Sequence, residues 1–223
     1  MKKIDFWSFL CNNIFVVVIV EGDEVIMKRE KDPEKESRIL ESAFKLFTEN
    51  GINDTSIQGI VDKSNIAKGT FYLYFKDKYE LRDVLIMRKS KKLFSDAVNE
   101  LNKNHIKSFE DQIIFVINYI IDVLVKNPLL LKFISKNLSW GVYSKTVNKI
   151  YTNSENDEDG VYNLFIKSMK EQNVKLKNPE VTLYMIIELV SSTCFTSITY
   201  GEPLPIKEYK PFLYDAIRKL LRE

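Results

Sequence analysis

Residues 68–78, KGTFYLYFKDK, set five large apolar or aromatic side chains between lysines. Two local readings compete. As a strand, Phe71, Leu73 and Phe75 would share one face, with Tyr72 and Tyr74 on the other. As a helix, Phe71 and Phe75 lie one turn apart on one face, while Lys68 and Tyr72 share another. The neighbouring sequence is helical on both sides, and so short a run makes no sheet alone. The expectation is a short helix from Ala67 that buries its phenylalanines, with Tyr74 and Phe75 leaving it.

Upstream, residues 34–50 repeat apolar side chains at helical spacing: Ile39, Leu40, Ala43, Phe44, Leu46 and Phe47. Pro33 suits the first turn, and Asn50-Gly51 ends the helix with a residue tolerant of positive φ. Asp54, Thr55 and Ser56 offer caps for a second helix reaching about Lys63, with Ile57, Ile60 and Val61 buried. Gly59 inside it costs about 1 kcal/mol relative to Ala. A tight connection at Ser64-Asn65-Ile66 leads into the opening stretch. Downstream, Asp77 caps a long helix over 78–102. Further helices are expected at 109–126, 129–138, 142–151, 160–172, 180–200 and 206–221. Three short helices, the last two joined by a tight turn, make a helix-turn-helix unit. The predicted fold is all-α: that unit joined to a larger antiparallel helical domain, about nine helices in all.

Only 7 Gly and 6 Pro interrupt 223 residues, and a hydrophobic content of 45% with 29% charged residues describes an ordinary globular chain. A net charge of +2 identifies no partner by itself, so a nucleic-acid argument rests on local clustering. The two cysteines, Cys11 and Cys194, have no metal spacing, which fits a cytoplasmic protein with free thiols.

The first 27 residues differ. The run IFVVVIV (14–20) is far shorter than the roughly 20 residues of a membrane helix. Asp5, Asn12 and Asn13 interrupt any signal-peptide core. The β-branched run suits a strand, yet nothing later offers an obvious strand partner. Either translation begins at Met27, or residues 1–26 are a genuine extension that is poorly ordered or loosely docked. No stable membrane association is expected.

Residues 36–85 resemble the DNA-binding domain of the TetR family of transcriptional regulators. The resemblance is carried by ILESAFKLFTENG, TSIQGIV and above all AKGTFYLYFKDKYEL. It implies three regions: an extension over 1–32, a DNA-binding domain over 33–93 with its helix-turn-helix at about 56–75, and a ligand-binding and dimerisation domain over 94–223. It also implies roles. Thr55 and Ser56 would meet phosphate where the second helix begins. Lys68 and Thr70 fall on the recognition helix, and Gly69 would let the backbone approach DNA. Tyr72 would reach bases or phosphate, Tyr74 the DNA backbone, and Lys78 a phosphate; Phe71 and Phe75 are core. The chain departs from the family pattern at Ala67, Asn65 and Ser64, which bears on operator preference rather than on fold. Asn65 tolerates the left-handed conformation nearly as well as glycine.

Arg88, Lys89, Lys91 and Lys92 read as a solvated face of the fourth helix. Residues 153–160 (NSENDEDG) look like half a calcium loop, but Ile166 stands where the bidentate carboxylate belongs, so a surface loop is the simpler reading. His105, the single histidine, has no carboxylate or thiol cluster beside it and reads as a surface or hinge position.

The resemblance further implies a homodimer paired through the last two long helices, with Met185, Ile186, Leu189, Ile217 and Leu220 as interface candidates and ordinary core as their alternative. A ligand pocket is expected among helices after residue 108. Asn118 and Asp122 would be polar anchors there, with Phe115, Phe133, Trp140, Tyr143, Phe165 and Glu188 as walls or further anchors; a solvated stripe is the alternative for Asn118 and Asp122. The expected function is a ligand-responsive regulator, most often a repressor, partnered by an operator duplex and a small molecule, without metal or cofactor. A helical binding or assembly protein that keeps the fold without operator recognition is the rival. A helical enzyme is disfavoured because no acid, base, nucleophile or metal set is clustered.

Overall fold

The computed structural model describes residues 16–21, 24–29, 31–134 and 161–222. Among them are nine helices: α1 (Pro33–Asn50), α2 (Ile57–Ser64), α3 (Lys68–Tyr74), α4 (Lys78–Asn102), α5 (Phe109–Lys126), α6 (Pro128–Ile134), α7 (Val161–Glu171), α8 (Pro179–Tyr200) and α9 (Ile206–Leu220). The all-α expectation holds with one addition. β1 (Val16–Glu21) pairs antiparallel with β2 (Glu24–Arg29), with Val18 opposite Met27. This corrects the reading that the β-branched run lacks a partner: EVIMKR, which begins three residues after β1 ends at Glu21, supplies one. The helix expected over 142–151 and the loop over 153–160 lie outside the described residues.

The chain divides into two compact units, Met1–Leu81 and Arg82–Glu223. The division falls in the first turn of α4, ahead of the boundary expected after residue 93, and both positions lie in the same 25-residue helix.

In the first unit, α2 packs on α1 and α3 on α2. Ile39, Ala43, Ile60, Phe71 and Phe75 form a core closed to solvent. Local chemistry sets each boundary. Asp32 accepts from Glu34 N–H ahead of Pro33 at the start of α1, and Gly51 ends that helix at φ 87°. The Ser56 hydroxyl accepts from Gly59 N–H to cap α2. Asn65, at φ 52° and ψ 53°, turns the chain from α2 into α3 in the left-handed conformation. Ser64 is buried, and its hydroxyl donates to Ile60 O and Val61 O, so a polar side chain at that position remains satisfied. Asp77 accepts from Tyr79 N–H and Glu80 N–H at 2.8 Å each, opening α4 as expected.

In the second unit α8 packs against α5, α7 and α9, and α5 against α6 and α9. By length and composition α8 could cross a membrane. One side of it is core, however: Leu183, Ile186, Ile187, Val190 and Cys194 are all buried. Burial pushes the Cys194 thiol up to about 12. The C-terminal end of the chain is tied to α5 by Arg222 on Glu110 and Arg218 on Asp111.

The left-handed turn yields a direct test. Asn65→Gly should leave thermal stability nearly unchanged, whereas Asn65→Ala should cost about 1 kcal/mol, since a Cβ without a compensating polar group disfavours that conformation. Equal stabilities in denaturant melts of the two variants would contradict this account.

Candidate nucleic-acid interface

Exposure along α3 settles the opening ambiguity. Phe71 and Phe75 are 0% and 1% exposed, while Leu73 between them is 48% exposed. A strand would have placed all three on one side. Instead Lys68, Gly69, Tyr72 and Leu73 form an outward face, and Phe71, Tyr74 and Phe75 an inward one. Tyr72 is 51% exposed and stands edge-on to Phe71, with ring centroids 5.4 Å apart. The buried ring therefore orients the exposed one.

Gly69 is informative because the protein itself does not require it. Its backbone is not left-handed, and no atom of the chain would meet a Cβ placed there. Glycine here leaves free space on the outward face of a helix whose neighbours carry Lys68 and Tyr72. Ser56 is exposed, and its Oγ serves the α2 cap. Thr70 is half-buried, and Ala67, at the cap position of α3, provides no side-chain hydrogen bond.

Three of the expected contacts are placed differently. Thr55 is buried, and its hydroxyl donates to Gly51 O at 2.7 Å and Leu46 O at 3.2 Å, so it closes the α1–α2 turn instead of facing phosphate. Tyr74 is also buried. Its phenol accepts from Asp32 N–H at 2.8 Å and donates to Asp32 O at 3.2 Å, anchoring the start of α1. Burial raises its pKa. The single phenolic proton is committed to Asp32 O, so this buried hydroxyl has none to donate to a phosphate. Lys78 occupies a middle position. Its ammonium donates to Asn53 O at 2.8 Å and Thr55 O at 3.0 Å, which leaves one of its three N–H groups uncommitted. Leu73 is the residue that type-based reading missed. Helical spacing from Gly69 was the available signal, since positions four apart share a face.

The second unit contains a cavity of about 590 Å³. Phe94 and Val98 of α4, Val116 of α5, Phe165 of α7, and Ile186 and Ile187 of α8 are among its walls. Its polar residues include His105, Lys107, Gln112, Lys167, Ser168 and Glu171. Of the expected ligand residues, Phe165 alone lines it. Phe133 is buried core, Phe115 and Glu188 are half-buried away from the lining, and Trp140 and Tyr143 lie outside the described residues.

Asn118 and Asp122 are corrected outright. Lys210 donates to Asn118 Oδ1 at 2.8 Å and to Asp122 Oδ1 at 2.6 Å, and Tyr214 donates to Asn118 Oδ1 at 2.7 Å. The pair therefore ties α5 to α9, being neither a ligand anchor nor a bare solvated stripe. His105 is exposed as expected, but it borders the cavity. The pocket also draws on the last turns of α4, ahead of residue 108. Among the interface candidates, Ile186 and Ile217 belong to the unit's own core, Leu189 and Leu220 are half-buried, and Met185 is 41% exposed.

Comparison with known proteins agrees with this geometry. Residues 39–85 match the family described as bacterial regulatory proteins, tetR family. A segment of 48 residues is 50% identical to the HTH-type transcriptional regulator YuxN of Bacillus subtilis, covering 22% of this chain but only 16% of that protein. An HTH-type transcriptional regulator of Staphylococcus aureus is 25% identical over 187 residues, 83% of this chain and 93% of its own length. Among solved structures, the transcriptional regulator FadR from Bacillus subtilis in complex with stearoyl-CoA superimposes with a TM-score of 0.56 at 15% identity, covering 81% of this chain and 96% of that one. At that identity the likeness concerns the fold.

The placements make two predictions. Gly69→Ala should stabilise the free protein slightly, by about 0.5–1 kcal/mol, because alanine is the better helix former and meets nothing. The same variant should weaken DNA binding, as seen by gel shift; unchanged affinity would mean that no backbone approaches the duplex at Gly69. Tyr74→Phe should instead lower stability by roughly 1 kcal/mol, the net worth of a hydrogen bond. Its DNA affinity, measured well below its melting temperature, should stay within about twofold. A large affinity loss in the folded variant would return Tyr74 to the interface.

Proposed function

We propose, from the premise that the chain belongs to the tetR family of bacterial regulatory proteins, that it binds operator DNA as a homodimer and lets go when a small molecule occupies the cavity of its second unit. The observation that carries the DNA-binding half is the split face of α3: phenylalanines inward, and Lys68, Gly69, Tyr72 and Leu73 outward. A seven-residue helix held by its own aromatic core fits a major groove, and its outward side chains offer both charge and apolar surface to base edges. Lys68 donates to guanine or phosphate, and Leu73 offers an apolar contact of the kind a thymine methyl accepts.

Dimerisation is supported by α8. Val181, Tyr184 and Met185 are exposed on a helix whose opposite side is core, and Phe212 of α9 is exposed as well. Large apolar residues grouped in this way favour an interface over water. Two recognition helices related by a two-fold axis would read half-sites about one DNA turn apart, roughly 34–36 Å. The ligand-responsive half is supported by the cavity and by α4, whose last turns wall it while its first residue, Lys78, holds the carbonyls of Asn53 and Thr55. A ligand that prefers one setting of α4 would change the separation of the recognition helices and so lower operator affinity. That the solved relative from Bacillus subtilis holds stearoyl-CoA is consistent with a ligand site in this fold.

Footprinting on the DNA flanking the protein's own coding region should reveal a protected, near-palindromic site. With that site in hand, Lys68→Ala should reduce its preference over random DNA by roughly 1–3 kcal/mol if Lys68 reads a base. Met185→Asp should shift the protein toward monomer in sedimentation and weaken operator binding with it. A folded Lys68→Ala with unchanged affinity for both DNAs would remove α3 from the interface and leave the binding-protein alternative standing.

A further inference from the structure

The cavity combines apolar walls with exposed ionisable residues, and we infer that its ligand is an amphipathic monocarboxylate: an apolar body seated between α4, α5, α7 and α8, with one carboxylate held at the rim by Lys107 and Lys167. This inference rests on the cavity being the effector site. The walls contributed by Val98, Val116, Phe165 and Ile186 carry no ionisable group. Every ionisable residue of the lining, His105, Lys107, Lys167 and Glu171, is exposed. A charge deep in such a pocket would be costly without a partner, so a ligand's charged end belongs at the rim.

Two polar side chains of the lining, Gln112 and Ser168, are already committed. Gln112 donates from Nε2 to Ile106 O at 2.8 Å, while its Oε1 accepts from the Ser168 hydroxyl at 2.6 Å and from Gln172 Nε2 at 3.1 Å. Recognition of a head group therefore falls to the lysines. Neither Lys107 nor Lys167 has an ion pair or hydrogen bond among the described residues. Two uncommitted ammonium groups stand against one carboxylate, Glu171, in the lining. That balance suits one negative charge. It disfavours a cation, and it provides little for the several phosphate charges of an acyl-CoA. A volume of about 590 Å³ is ample for a medium acyl chain or a comparable ring system.

The test uses the full-length protein and four probes with the same chain: decanoate, decanol, decyltrimethylammonium and decanoyl-CoA, each titrated by calorimetry. Decanoate should bind tightest, about tenfold tighter than decanol, as a charge-assisted hydrogen bond requires. The double variant Lys107→Ala/Lys167→Ala should remove that tenfold advantage while decanol binding stays within about twofold, because both lysines are exposed and outside the apolar walls. Val116→Trp, with Val98→Trp as a second choice if the first does not fold, should abolish binding of both by filling the cavity. Equal binding of decanol and decanoate, still abolished by the tryptophan variants, would overturn the carboxylate assignment and leave the cavity as an effector site. Tightest binding of the cation or of decanoyl-CoA would overturn it in the same way. Binding of no probe, or binding indifferent to the tryptophan variants, would overturn both.

Discussion

The burial of Phe71 is the constraint on which the first unit depends. A helix of seven residues has no independent stability in water, since isolated helices shorter than about 12–15 residues are marginal. α3 also lacks a capping side chain, because Ala67 occupies that position. It exists as a helix because Phe71, Tyr74 and Phe75 are buried in the core of the first unit, with Phe71 and Phe75 centroids 5.9 Å apart. Losing the Phe71 ring removes on the order of 3–5 kcal/mol, a large share of the stability of a small domain. The outward residues are presented only while that packing holds.

Around this core, polar groups that chemistry marks as suitable for phosphate are spent on the scaffold. Tyr74 reaches back 42 residues to both backbone groups of Asp32, Thr55 closes the turn between α1 and α2, and Lys78 clamps the chain entering α2. These bonds fix where the outward face points. The separation is sharper than residue type suggests: Lys68, Gly69, Tyr72 and Leu73 stay on the outward face, while the hydroxyls of Thr55 and Tyr74 and two of the three Lys78 N–H groups are spent within the unit.

How much of this was legible in the sequence follows from range. Helix boundaries at Pro33, Ser56, Asn65 and Asp77 were readable because each depends on backbone groups a few residues away. The helical reading of KGTFYLYFKDK was readable from its neighbours, and Leu73 from its spacing with Gly69. Thr55 and Tyr74 were misread because a hydroxyl advertises its capacity to bond but not its partner, and burial is decided by the fold. Asn118 and Asp122 failed for the same reason, their partner Lys210 lying 88 or more residues away. The cavity was hidden more deeply. Its walls are Val, Ile, Leu and Phe at helical spacing, which no pattern distinguishes from ordinary core. Part of its rim, His105 and Lys107, lies in the turn after α4, where sequence assigned only a surface or hinge histidine.

Coupling between cavity and duplex, if α4 carries it, is limited by what α4 touches. The helix is one element of 25 residues, about 37 Å long at 1.5 Å per residue, with Lys78 at its first position and Leu101 and Asn102 beside the cavity. A ligand can shift the equilibrium between two settings of this helix only by the difference in its affinity for them. The apolar lining makes that difference largest for a ligand that spans from the walls of α4 to those of α7 and α8, since only then does moving α4 open or fill contact area. At the other end, Lys78 holds two backbone carbonyls of the first unit. Its two hydrogen bonds to Asn53 O and Thr55 O are near 3 Å and cannot stretch far before they break. Within the first unit, these bonds join the start of α4 to the turn between α1 and α2.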